Sequence, residues 1–418
     1  MQRALSLAKY LPDSGYEIHV LRAYNAAQPV YDPGLLRHIP DGVRIHGAFT
    51  PEIPFAIRQK LWHKMRGSVR PAGTTQQPPA KTSWLKAAAV NMVRRVLCPE
   101  PEILWVPFAV RKAWQLVEQF KIDTVLVTAP PFSAFLVGVE LKKRAPHLRL
   151  ISDFRDEWLD FYLKDFEFQR GEHTRRRAAE IERQTVAASD LVVSTTVTTR
   201  EVIRARYPLQ PEEKFTVVAN GYDPAMFTGF QSRRAADGRM VVTHVGTVYK
   251  TACPRYYLDA LDGMAAHIRA QITTRFVGRI AEDERGVIEH RKSAIEVTGF
   301  MPQREALRCM EETDYLLLTM TNDISLPGKL FEYMATGKPI LALCSPASEV
   351  ARILDETGAG RHADPADPSA IQRMIEQAYQ DCLCGGLRAG PGGEAVRRYE
   401  RPRLAAEYAR QIAQIQIA

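Results

Sequence analysis

Long apolar runs are missing from this 418-residue chain. None approaches the roughly 20 residues a membrane-spanning helix needs, so the chain is not expected to cross a bilayer by itself. Cysteine is sparse and scattered. Of the six, at 98, 253, 309, 344, 382 and 384, only Cys382 and Cys384 lie close together, which gives neither a zinc-ligand spacing with a second half nor a disulfide framework. No metal dependence is expected, and with no secretory leader read at its start the expected compartment is the reducing cytoplasm. Phosphate-loop and nucleophile motifs are also lacking. Without a Walker loop, a GxGxxG followed by a spaced acidic residue, or a GxSxG elbow, nucleotide hydrolysis, hydride transfer and a nucleophilic serine are all poorly supported.

What is present points to an ordinary globular protein of more than one domain. Hydrophobic residues make up 45% and charged residues 25%, which is typical of soluble chains, and the length exceeds what one core usually serves. The formal charge of +8 favours anionic partners: nucleoside diphosphates, lipid phosphates or an acidic membrane surface. No motif for nucleic acid accompanies that charge.

Residues 2–11 place Ala4, Leu5, Leu7, Ala8 and Leu11 on one helical stripe, stopped by Pro12 to Gly15. The strand YEIHVLRAY follows. A parallel domain that opens on a helix leads us to expect a further strand and Gly-rich turn ahead of Gln2; the alternative is a domain that simply begins on a helix. Residues 57–98 hold two basic helical stretches around the connector PAGTTQQPPAKT. Trp62, Met65, Trp84 and Leu85 are interleaved there with Lys and Arg, a pattern that fits either a helix lying in an anionic membrane interface or one packed on its own domain.

From Ile103 onward apolar strands alternate with helices: DTVLVTA, LRLISDF, DLVVSTT and KFTVVANG, then MVVTHVGT, TTRFVGR, AIEVTGF, DYLLLTM and PILALCS. Continuous apolar strands of this kind form parallel sheets covered on both faces. The polar stretch 229–239 reads as a linker. The expected layout is therefore two doubly wound Rossmann-like α/β domains, 1–230 and 236–396, with a last helix at 397–418 returning to the first.

Chemistry concentrates where strands end. Pro327-Gly328 opens a helix whose first amides lack partners and carry partial positive charge, a place for a diphosphate. Lys329 adds a full charge, and Glu332, one turn on, can accept from ribose hydroxyls. Gly246 allows close backbone approach, with Thr247 and Lys250 beside it and Arg279 at the next strand end. His244 reads equally as a core histidine. In the first domain, Asp153-Phe154-Arg155-Asp156-Glu157-Trp158 follows LRLIS, where open sheets bind ligands. Asp156 or Asp153 can orient or deprotonate an acceptor hydroxyl, and Arg155 can meet a phosphate. Ser133, after two prolines, reads as a helix N-cap facing the site.

The stretch PGKLFEYMATGKPI resembles the donor segment of the family 4 retaining glycosyltransferases, in which a glutamate near the start of this helix binds the nucleotide ribose. NGYDPAMF, at 220–227, looks like that family's interdomain signature. THVGTVYK and VTGFMP also agree in order, and APPFS with DFRDEW resembles a bacterial branch. The resemblance covers nearly the whole chain. It implies the GT-B fold, with two domains facing across a cleft, and transfer of a hexose-type sugar with retention from a nucleotide-sugar donor to a saccharide or lipid-linked acceptor of the envelope. Apart from the resemblance, the expected place is the cytoplasm, either free or peripheral at the inner face of the membrane, and no cofactor is expected. Two departures bear on this: Ile324 stands where many members carry a second glutamate, with Asp323 beside it, and no Gly-rich loop precedes Gln2. A nucleotide-sugar epimerase and a non-catalytic sugar-nucleotide-binding subunit are the rival readings.

Overall fold

The computed structural model describes residues 2–26, 39–51, 97–163, 171–234, 238–320, 323, 326–385 and 393–415. The basic stretches at 57–96 and Ile324 lie outside them. The chain forms two units, one of Met1–Thr195, Thr199–Val218 and Ala406–Ala418, the other of Thr196–Thr198 and Ala219–Ala405.

In the first unit, α1 (Gln2–Tyr10) precedes β1 (His19–Ala23), which pairs in parallel with β2 (Arg44–Ala48). A four-stranded parallel sheet follows, in the order β3 (Thr124–Ala129), β4 (Arg149–Phe154), β5 (Leu191–Ser194) and β6 (Phe215–Val217). Between these lie α2 (Val106–Phe120), α3 (Phe135–Arg144), α4 (Glu172–Ala188) and α5 (Val197–Arg206). The helix α2 buries Val106, Ala109, Val110, Ala113 and Val117, the i, i+3, i+4, i+7 stripe that its sequence carries. These pack on Val137 and Leu141 of α3, with Leu21 of β1 and Val125 of β3 at the margin of the same core. All of β5 and all but the first residue of β4 are buried. Among the described residues, β1 pairs only with β2, and β3 only with β4.

The second unit is a six-stranded parallel sheet. Its order is β12-β11-β10-β7-β8-β9, formed by β7 (Met240–Val245), β8 (Ile272–Val277), β9 (Ala294–Gly299), β10 (Tyr315–Thr319), β11 (Ile340–Leu343) and β12 (Gly360–Ala363). The first strand, β7, is central and the chain winds outward both ways, which is the doubly wound order with its switch point between β7 and β10. Leu317 faces a core shared with α6 (Arg255–Asp262) and α10 (Pro368–Leu383), whereas Leu316 and Leu318 face α8 (Gly328–Ala335) and α9 (Glu349–Thr357). The α7 helix (Gln303–Glu311) precedes β10. Neither β2 nor β12 was apparent as a strand in the sequence, because RIHGA and GRHA lack the apolar run that marked the others.

The polar stretch at 229–239 is not a free linker at its start. The Arg233 amide donates to the Glu311 carbonyl at 2.9 Å, the Gln231 amide to the Glu311 carboxylate at 3.0 Å, and Lys338 Nζ to the Arg233 carbonyl at 2.6 Å. The change of unit falls earlier, at Val218/Ala219. Directly after it, Tyr222 N donates to the Tyr399 carbonyl at 3.1 Å, and Arg401 N to the Tyr222 carbonyl at 2.9 Å. This fastens the Asn220–Asp223 segment to the start of α11 (Arg401–Ala413). A Cβ on Gly221 would lie 2.1 Å from the Tyr399 carbonyl oxygen. Only glycine fits this approach, so Gly221→Ala should destabilise the second unit by about 1–3 kcal/mol, measured as a lowered denaturant midpoint with unchanged slope.

Candidate functional site

In the second unit the sheet brings His244, Gly246 and Lys329 together. His244 is fully buried near the end of β7. Its Nδ1 lies 3.1 Å from the Leu317 carbonyl on β10, so the ring proton sits there and Nε2 is left as an acceptor. Lys329 Nζ stands 3.3 Å from that Nε2. Burial, and then the Lys329 charge, hold the imidazole well below its ordinary range, which keeps it neutral.

Lys329 projects from the first turn of α8. Burial pushes its ammonium down to about 8, with Glu332 partly opposing. Room for the amine exists because of glycine: Gly246 has φ +122°, and a Cβ there would lie 3.0 Å from Lys329 Nζ. Gly278, at the end of β8 with φ +137°, would place a Cβ 2.4 Å from the Gly246 carbonyl. The sequence does hint at this second glycine, since HVGT and FVGR end neighbouring strands alike. Tyr333 docks the helix: its hydroxyl accepts from Val245 N at 2.8 Å and donates to Val245 O at 3.2 Å.

The start of α8 has no side-chain cap, and Gly328 is exposed there. Its first amides are thus left for another acceptor. Glu332 is part-buried one turn along, and burial raises its carboxyl against the pull of Arg401 and Lys329. Thr247, Lys250 and Arg279 are exposed on the adjoining loops, joined through Val248 N and the Arg279 carbonyl at 2.8 Å. An ammonium beside bare backbone and open amides can take an anion, with a carboxylate within one helical turn for a hydroxyl pair.

The first unit sorts the DFRDEW residues differently from the sequence reading. Asp153 is fully buried and meets Arg3 at two points, Nε to Oδ2 at 2.9 Å and Nη2 to Oδ1 at 2.8 Å. Thr128 donates to the same carboxylate at 2.6 Å. The Tyr408 ring lies under the Arg3 guanidinium, 5.5 Å away. Burial works against the Arg3 charge, but Asp153 and Tyr408 outweigh it, so the guanidinium is held more firmly protonated than usual. Arg155 turns its Nε to the Ala129 carbonyl at 3.1 Å and its Nη2 to the Pro130 carbonyl. It is a strut for the turn after β3 and does not stand ready for a phosphate. Glu157 accepts the amides of Leu159, Asp160 and Phe161, and pairs with Arg206. Trp158 stacks on Phe132, with ring centroids 4.6 Å apart. Asp156 alone keeps an uncommitted carboxylate among these described residues, part-buried and raised by burial against the pull of Arg155.

Ser133 departs from its expected role. It is fully buried inside the Phe132–Ala134 turn, its hydroxyl caps no amide among the described residues, and its own amide donates to Glu100 Oε1 at 2.5 Å. Burial lifts the Glu100 carboxyl to about 7, with the Ser133 amide pulling it down. Nothing in the local sequence signalled Glu100 or Arg3, because each meets its partner across a large separation in the chain.

Residues 66–226 match the family model for Glycosyltransferase Family 4, and residues 239–381 match the one for Glycosyl transferases group 1. The fold and these two consecutive matches, neither of which spans half of the chain, indicate a GT-B glycosyltransferase of the family 4-like kind. Among individual proteins, the probable glycosyltransferase WbjE of Pseudomonas aeruginosa is 32% identical over 93 residues, 22% of this chain and 23% of that protein. The match thus spans about a quarter of that relative's length. Anabaena Alr3699/HepE, solved with UDP and glucose, superposes over 99% of this chain and 95% of its own at a TM-score of 0.61 and 15% identity. The lipopolysaccharide outer core galactosyltransferase WaaB, in its apo form, covers 99% and 94% at 0.58 and 14%. Sucrose-phosphate synthase from Thermosynechococcus elongatus covers 98% and 91% at 0.64 and 14%.

Lys329 gives the site a pH signature. An anion at its amine is favoured while the lysine is protonated, so affinity for inorganic pyrophosphate should be steady near pH 7 and fall as pH rises through about 8. Calorimetric titration of pyrophosphate from pH 7 to 9.5 checks this, with Lys329→Met expected to bind more weakly and to lose the slope.

Proposed function

We propose that this chain transfers a hexose from a nucleotide-sugar, a UDP-hexose in the first instance, to a saccharide or lipid-linked acceptor of an envelope or polysaccharide, with retention at the anomeric carbon. The observation that carries the reading is the part-buried Lys329 amine beside Gly246 and the uncapped start of α8. UDP with glucose and UDP-glucose occupy the similar HepE structures, and WaaB is named a galactosyltransferase. Retention rests on the family resemblance alone.

In this reading the diphosphate lies against the Gly328 amide and Lys329, with Lys250 and Arg279 reaching its outer oxygens and Thr247 beside Gly246. Glu332 accepts from the ribose hydroxyls. As the sugar–phosphate bond breaks, negative charge grows on the leaving diphosphate, where a preorganised ammonium and helix start stabilise it. Asp156 orients the acceptor hydroxyl, which attacks on the face that the diphosphate leaves while the departing phosphate oxygen takes its proton, the course that retention in one displacement requires. Asp153, committed to Arg3 and Thr128, braces the strand end. No metal or other cofactor enters this scheme.

The test is turnover of radiolabelled UDP-glucose and UDP-galactose on an alkyl glucoside. Transfer to the glucoside supports the proposal. A new free sugar nucleotide formed from donor alone would instead make the protein an epimerase. Glu332→Gln should weaken UDP binding by roughly 1.5–3 kcal/mol, the size of one charge-assisted contact. Asp156→Asn should lower kcat while leaving donor affinity within about twofold.

We further propose that the protein works against an anionic membrane surface at the cytoplasmic side. Residues 53–99 contain nine Lys or Arg and no Asp or Glu, more positive charge than the net +8 of the entire chain. Among the described residues no helix is long and apolar enough to cross a membrane. Co-sedimentation with vesicles containing phosphatidylglycerol should exceed that with phosphatidylcholine vesicles and fall steeply with added salt, as surface electrostatics requires. Equal partition to both would overturn the membrane proposal.

A further inference from the structure

The turn that joins β3 to α3 is clamped from two sides. Pro130 and Pro131 have no amide hydrogen, so the first N–H groups at this strand-to-helix turn belong to Phe132 and Ser133. Glu100 takes the Ser133 amide, and the Phe132 amide lies beside the same carboxylate. On the other side, the carbonyls of Ala129 and Pro130 receive the Arg155 guanidinium. Phe132 completes the lock by stacking on Trp158 and meeting Tyr162 edge-on at 5.1 Å. Asp156 sits between the two fixed neighbours Arg155 and Glu157. Its own position therefore depends on that turn through Arg155.

We infer that Glu100, across the turn from Arg155, is a positioning residue that fixes the Pro130–Ser133 turn and, through Arg155, sets where the Asp156 carboxylate stands. The inference rests on the proposed role of Asp156 for its effect on turnover, but the mechanical link does not. A buried carboxylate on two buried amides satisfies groups that no water reaches. Removing it frees the turn, and with it the carbonyls that hold Arg155. A displacement of about 1 Å at a reacting group lowers turnover on the order of 100-fold.

The decisive experiment compares Glu100→Gln and Glu100→Ala with the unaltered chain. Glutamine keeps one acceptor oxygen and preserves the fold if alanine does not. The expected result is a loss in kcat on UDP-glucose and alkyl glucoside of about 10-fold for Gln and about 100-fold for Ala, with the dissociation constant for UDP unchanged. Amide hydrogen exchange should quicken at Phe132, Ser133, Arg155 and Asp156 and stay unchanged along α4. The proposal is overturned if exchange at Arg155 and Asp156 is unaltered in a folded Glu100→Gln protein, or if UDP affinity falls in step with kcat. If exchange quickens but neither Glu100→Gln nor Asp156→Asn alters kcat, the mechanical link stands and the role of Asp156 fails. If Asp156→Asn lowers kcat and Glu100→Gln does not, the positioning role fails alone.

Discussion

An ionised side chain taken out of water must meet an opposite charge or a set of hydrogen bonds, or its charged form becomes costly. That requirement organises both sheet edges of this protein. Parallel strands point their carboxyl ends one way, and loops there gather charged residues next to a dry core. In the first unit Asp153 is met by Arg3 and Thr128, Arg155 by two carbonyls, and Glu157 by three amides and Arg206. Glu182, which burial lifts to about 7, shares that same Arg206. Each pairing closes a group off from further chemistry. Among the described residues of DFRDEW, Asp156 is the one left without such a pairing.

The second unit applies the same rule with the opposite sign. Lys329 faces a neutral histidine and glycine backbone, and its lowered titration records a cation that the surrounding protein leaves short of compensation. An incoming anion restores what burial took away. The neutral state of His244 matters here: a second cation at 3.3 Å would repel the first, so the Leu317 carbonyl, by holding the ring proton on Nδ1, keeps Nε2 an acceptor toward the lysine. The setting of the Lys329 amine thus depends on a contact made inside the sheet.

This division was only partly legible in the sequence. Apolar runs such as TVLVTA and YLLLT marked the strands because burial on both faces demands continuous hydrophobicity. Pro327-Gly328 marked the α8 start because those residues govern helix initiation locally. The partners of DFRDEW could not be read in the same way. Arg3 reaches Asp153 across 150 positions, and Glu100 reaches Ser133 across 33, distances over which periodicity carries no signal. Hence Asp153 and Asp156 looked equivalent, two carboxylates after one strand, while tertiary pairing makes them unlike. The residues at 229–234 looked like a linker for a related reason: polar sequence does not reveal that their backbone groups are already bonded to Glu311 and Lys338.

The two helix starts show how far such a third partner can redirect a local motif. Both follow proline, at Pro131 before the Phe132–Ala134 turn and at Pro327 before α8, and neither is capped by its own side chain. On local grounds both are anion sites. In the first unit the Glu100 carboxyl takes the Ser133 amide from within the protein, so that helix start is spent on rigidity and the Pro-Pro turn is held fixed against Arg155. At Gly328 no carboxylate of the described residues caps the amides, and Lys329 adds a positive charge at the same helix start. The same local motif is thereby spent on support in one unit and left open in the other, and the difference lies in a single side chain from elsewhere in the chain.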